Sequence, residues 1–154
     1  MSVYRVIVAG VGLLTLSISV VLSQEVTATK VVGIEFPPIA IAARIAGTVK
    51  IKCMLAGNGT VVSTEILEAT SDTEDGDLKA VRSKSVRDIL GKAAQENAMK
   101  WIFSAPDKAE SPFTVLTYRF VFEVRESANY LRSRFVFDYP ANVRVIAEIP
   151  PPQI

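Results

Sequence analysis

Residues 48–67 constrain the fold most tightly, because hydrophobicity alternates on either side of a glycine-asparagine-glycine turn. Val49, Ile51, Cys53 and Leu55 share one face, with Thr48, Lys50 and Lys52 on the other, the period-two pattern of a half-buried strand. Gly57-Asn58-Gly59 supplies turn residues, and TVVSTEIL (residues 60–67) reads as the returning strand of a hairpin. Cys53, the one cysteine of the chain, therefore falls on an apolar face, where a free thiol acts as a small hydrophobe.

Upstream, EFPPIAIAARIAG (residues 35–47) delivers the chain into that hairpin. Pro38 suits the first turn of a helix, since its missing N–H would have no partner there. Residues 39–45 make about two alanine-rich turns, and Gly47 is expected to stop the helix in a left-handed conformation. Downstream, the charged, glycine-punctuated SDTEDGDLKAVRSK (residues 71–84) reads as a solvated loop. Its acids Asp72, Glu74, Asp75 and Asp77 lack the spacing of a calcium-binding loop.

A helix is expected to begin at Ser85, with Asp88 completing a capping pair. Val86, Ile89, Leu90, Ala93, Ala94, Ala98, Trp101 and Ile102 recur at helical spacing, forming a stripe that must face a sheet. Pro106 stops the run, and Trp101 and Phe103 read as core. A third strand, residues 113–124, follows Pro112; Leu116, Tyr118, Phe120 and Phe122 make one of its faces heavily aromatic. SRFVFDY (residues 133–139) and VRVIAEI (residues 143–149) add two strand-like runs, joined through Pro140-Ala141-Asn142, before a triple proline.

Chemistry is excluded more easily than it is assigned. The 154-residue chain contains no histidine, which removes the commonest general base, the usual triads and most transition-metal sites. Cys53 has no activating base in view, no glycine-rich phosphate loop follows a strand, and a net charge of +1 gives no basic surface for nucleic acid. The expectation is a non-enzymatic domain without cofactor, metal or small-molecule substrate.

The N-terminus places Arg5 before an apolar run, residues 6–22, with Val21 and Ser23 at its end. That is the layout of a secretory signal cut after Ser23; the alternative is an uncleaved membrane anchor. Residues 24–34 form a short lead, residues 35–125 the domain, and residues 126–154 a C-terminal β extension.

Three blocks in order carry a family resemblance: FPPIAIAARIAGTVKIKCMLAGNGTVVSTEILEA, AAQENAMKWIFSAP and FTVLTYRFVFE. Together they resemble the C-terminal domain of the TonB family of periplasmic energy transducers. The resemblance implies an α+β fold: a small antiparallel sheet with one long helix across one face. To this the chain adds a short N-terminal helix and a C-terminal strand pair. It also implies a periplasmic or secreted domain that binds a protein or peptide, such as an outer-membrane receptor segment, by pairing with a sheet edge.

The position that matches the receiving strand is marked by Phe113, Val115, Thr117, Arg119 and Val121. The chain lacks the family's membrane-helix histidine, and residues 24–35 could span only about 40 Å as a spacer. The expectation is therefore an exported binding domain; the alternative that the resemblance implies is a transport component anchored in the inner membrane and facing the periplasm. The tail strands could cover the receiving edge, in which case the tail itself is expected to receive the partner. Edge pairing between copies, giving a homodimer or structural module, is the remaining alternative.

Overall fold

The computed structural model describes residues 26–104, 113–127, 132–138 and 141–151. The signal or anchor reading of residues 1–23 lies outside the described residues, as do Pro106, Pro112 and Pro140. Among the described residues no helix is long and apolar enough to cross a membrane.

The fold is α+β. In chain order the elements are β1 (Ala28–Lys30), α1 (Pro38–Ala42), β2 (Gly47–Ala56) and β3 (Val61–Ser71). A long helix follows as α2 (Gly76–Ser85), a π-helical stretch (Val86–Gly91) and α3 (Lys92–Ala98). β4 (Ile102–Phe103), β5 (Phe113–Glu126), β6 (Arg132–Asp138) and β7 (Asn142–Ile149) complete the chain. Five strands form one sheet in the order β3-β2-β5-β7-β6, and β1 pairs with β4 in a separate two-stranded sheet.

The expected hairpin is β2–β3. Asn58 Oδ1 accepts from the N–H of Thr60 at 3.1 Å and from its hydroxyl at 2.7 Å, a local bond that fixes the turn. Gly59 has φ +85, and the Phe103 N–H donates to its carbonyl at 2.8 Å, so β4 closes against the turn. α1 begins with Pro38 at its first position, as expected, but Gly47 does not stop it. The left-handed residue is Arg44, at φ 50. Ile45 N–H donates to Ala40 O at 2.8 Å and Arg44 N–H to Ile41 O at 3.0 Å, the double bond pattern of a Schellman stop. Gly47 instead opens β2, where a Cβ would lie 2.3 Å from the Thr70 carbonyl oxygen.

The long helix starts nine residues earlier than Ser85. Asp75 Oδ1 caps it, accepting from Asp77 N–H at 3.0 Å and Leu78 N–H at 3.4 Å. The stretch that reads as a loop is therefore largely α2, which buries none of its residues and so carries no apolar stripe. Ser85 sits in helical backbone and makes no cap bond. From there the stripe behaves as expected: Val86, Leu90, Ala94 and Ala98 are all fully buried. A Cβ on Gly91 would come within 2.7 Å of Ile66 Cδ1, so the missing side chain lets the π-helical turn settle onto β3. The helix ends before Trp101, and Ile102 belongs to β4, partly exposed, rather than to the helical stripe.

The sheet is mixed, not purely antiparallel, because β7 runs parallel to β5 from Arg119↔Asn142 to Glu126↔Ile149. β6 turns back antiparallel to β7 from Arg132↔Glu148 to Asp138↔Asn142. The chain thus leaves β5, skips one strand position to lay down β6, and returns to fill the gap with β7. Val143, Val145 and Ala147 are fully buried, continuing the apolar face of Phe120 and Phe122 across the sheet.

Trp101 is the centre of the core. Its ring lies 5.3 Å from Tyr118, 5.6 Å from Phe137 and 5.7 Å from Phe120, contacts worth about 0.5–1.5 kcal/mol each beyond area burial. Its indole N–H is shared between the Val32 carbonyl at 3.2 Å and Asn97 Oδ1 at 3.0 Å. Asn97 Nδ2 in turn donates to the Gly33 carbonyl at 3.2 Å. This network ties residues 31–36 to the end of α3, over the same face of the sheet as the helix.

Candidate functional site

The residues that mark the receiving strand in the sequence lie on β5, which stands between β2 and β7 in the strand order. Phe113 is in register with Ala56, Val115 with Met54, and Thr117 with Lys52. Arg119 lies between Lys50 and Asn142, and Val121 between Thr48 and Arg144. β5 is therefore flanked on both sides only from Arg119 onward, where β7 takes its second side. The physical reason is in the tail, whose inward residues bury fully only by extending the sheet at this position. Residues 113–118 have β2 alone as a paired strand among the described residues. Val115 is 53% exposed, so the outer face of this half of β5 is open to solvent.

The outer strands of the sheet are β3 and β6, and they differ as edges. β3 shifts register twice against β2, leaving Leu67 between the pairs Lys50↔Glu68 and Ile51↔Ile66, and Val62 between Met54↔Ser63 and Leu55↔Val61. Both extra residues are exposed hydrophobics. Bulges of this kind twist an edge and spoil it as a template for another strand. β6, by contrast, pairs with β7 over all seven residues without a register shift. Its far side presents a regular row of backbone groups with no strand beyond it among the described residues.

An apolar groove of about 660 Å³ runs beside β6, between that strand and the segment held by Trp101. Gly33, Phe36, Pro38 and Ile41 form one wall, and Ser133 and Phe135 the other. The Phe36 N–H donates to Ser133 Oγ at 3.2 Å, and the Phe36 ring meets Phe122 edge-on at 5.5 Å, so the wall is fixed to the sheet. Along β6, Ser133, Phe135 and Phe137 share the core face because they are in register with Ala147, Val145 and Val143. Arg134, Val136 and Asp138 lie on the outer face. Arg134 is exposed and has no carboxylate within 4.0 Å among the described residues, whereas Asp138 Oδ2 accepts from Arg144 Nε at 3.0 Å.

A second, smaller depression on the outer face is lined by Thr48, Lys50, Glu68, Thr70 and Arg119. It mixes two cations with one carboxylate across adjacent strands. Cys53 is buried, and burial pushes its thiol up to about 12, so it stays protonated at neutral pH and is a poor nucleophile. Among the described residues no group of three or more Cys, Asp or Glu side chains is placed to hold a metal ion.

No family model matches the chain, and no curated protein matches it.

In the sequence, the β6 edge is legible only as a strand-like run in the tail. The groove beside it could not be found from the sequence, since its two walls are about a hundred residues apart in the chain.

Proposed function

We propose that this chain is an exported, non-catalytic binding domain of the TonB C-terminal type, which takes an extended segment of a protein partner by strand addition at β6. The observation that supports the reading is the pairing of a straight, unbulged edge strand with a fixed apolar groove alongside it. Strand addition needs both. Backbone hydrogen bonds along the edge supply affinity, about 0.5–1.5 kcal/mol net for each, and alternate side chains of the added strand supply choice. A residue of the partner facing the core side would enter the groove beside Phe135, where burying a valine or leucine is worth about 1.5–3 kcal/mol. From Arg119 onward β7 takes the side of β5 that the family resemblance implies as the receiving edge, and for this reason we place the receiving edge two strands outward, on β6.

The test is selection of short displayed peptides against the full chain, followed by NMR mapping of the best binder on the isotope-labelled chain. Shift changes along residues 133–138 and in residues 33–42 are the expected result. A binder that maps to β3, or to helix α2, would overturn the assignment of the edge.

A further inference from the structure

We propose that the strand received by β6 is β6 of a second copy of this chain, paired antiparallel about a two-fold axis at Val136. The inference rests on reading β6 as a receiving edge and names the partner of that same edge. In antiparallel self-pairing, every residue i faces a residue j for which i + j is constant. The side chains of a facing pair lie on the same side of the sheet. The core face of one copy therefore continues the core face of the other only when the axis passes through a residue, and three such registers use the middle of β6.

An axis at Arg134 sets that arginine against its own copy. An axis at Phe135 sets Phe135 against itself and Arg132 against Asp138, but Arg134 against Val136 and Ser133 against Phe137, two mismatched pairs that each occur twice. An axis at Val136 sets valine against valine, Phe135 against Phe137 twice, and Arg134 against Asp138 twice. Over residues 134–138, which this last register pairs with one another, apolar meets apolar and cation meets anion throughout, and opposite charges facing across strands stabilise while like charges do the reverse. The groups concerned are available. Arg134 has no ion-pair partner within its own copy among the described residues, and Arg144 bonds Oδ2 of Asp138, leaving Oδ1 for the second copy.

The interface is isologous and closes on itself, joining two five-stranded sheets into one. Phe137 of the second copy stands opposite Phe135, at the margin of the apolar groove, and extends its wall. An edge contact of this length is small beside the roughly 1,600 Å² of a standard interface. The dimer is accordingly weak, with a dissociation constant on the order of 10–100 µM.

Three measurements on the full chain test this. Sedimentation over a concentration series should show a monomer–dimer equilibrium, weakened at least tenfold by Arg134→Asp, whose melting temperature should stay at the wild-type value. Mild oxidation should cross-link Val136→Cys into a covalent dimer and leave Phe135→Cys uncross-linked; buried Cys53 does not compete. Association that Arg134→Asp leaves intact, or a Val136→Cys chain that stays uncross-linked, would overturn the proposal. A strictly monomeric chain that still binds its selected peptide along β6 would refute self-pairing alone. A chain that neither associates nor binds any selected peptide there would refute the strand-addition reading with it.

Discussion

Replacing Trp101 by phenylalanine should cost about 3 kcal/mol of stability, a figure that follows from what the indole N–H holds. That one donor is shared by the Val32 carbonyl at 3.2 Å and Asn97 Oδ1 at 3.0 Å. Trp101 is 1% exposed and Asn97 5%, so water cannot easily replace the lost donor. Leaving a buried acceptor unsatisfied costs about 1–3 kcal/mol, and the smaller ring leaves a gap among Tyr118, Phe120 and Phe137 worth about 1 kcal/mol more. Urea unfolding followed by far-ultraviolet circular dichroism is the assay, since the substitution removes the only tryptophan. With a slope of about 1–3 kcal/mol per molar urea for a domain of this size, the midpoint should fall by about 1–3 M at unchanged slope. A loss below about 1 kcal/mol would refute the claim that the indole joins residues 31–36, and hence one wall of the groove, to the core.

Gly59→Ala should be among the most damaging small substitutions, losing about 2 kcal/mol or more. A Cβ there meets the Phe103 carbonyl oxygen at 2.0 Å with φ +85, and only glycine tolerates that backbone cheaply; a melting curve within a degree of wild type would contradict it. At Arg44 the order is reversed: Arg44→Gly should be about 1 kcal/mol more stable than Arg44→Ala, because the position is left-handed. Comparing the two variants with each other cancels the exposed ion pair that both lose with Glu126. Asp75→Ala should cost about 1 kcal/mol through the loss of the helix cap, with the local effect read as faster amide exchange at Asp77 and Leu78. Burial raises the folded-state pKa of Cys53 from 9.0 to about 12. Its contribution is therefore fully present below pH 9 and is lost as the pH rises from 9 towards 12. Wild type should lose stability relative to Cys53→Val across that window and not below it; parallel unfolding curves at pH 8 and 10.5 check the sign.

The hairpin was legible because alternation, turn chemistry and length all agree at residues 48–67. The buried half of the long helix was legible for the same reason, as Val86, Leu90, Ala94 and Ala98 recur on one face. Its first ten residues were not: α2 buries nothing, so hydrophobic periodicity has no stripe to report, and the signal lay in Asp75 as a cap. Arg44 is not legible as the stop of α1, because a left-handed arginine is held there by two backbone bonds, while Gly47 answers a steric need further on. The family resemblance pointed to β5, and the local pattern of residues 113–124 as an amphipathic strand was correct. What could not be read was its place in the sheet. That depends on β7 returning between β5 and β6, a non-local pairing that no local period encodes; it covers β5 from Arg119 onward and makes residues 132–138 an outer strand of the sheet.

Amide hydrogen exchange along β6 is the most direct test that this strand is the open, receiving edge. In the dilute free chain, the alternate amides of residues 133–138 that face away from β7 should exchange quickly while those facing β7 are protected. On addition of a selected peptide, or at high concentration of the chain itself, the outward amides should become protected while those of β3 do not change. Outward amides of β6 that are already protected in the dilute chain, or new protection confined to β3, would contradict the account.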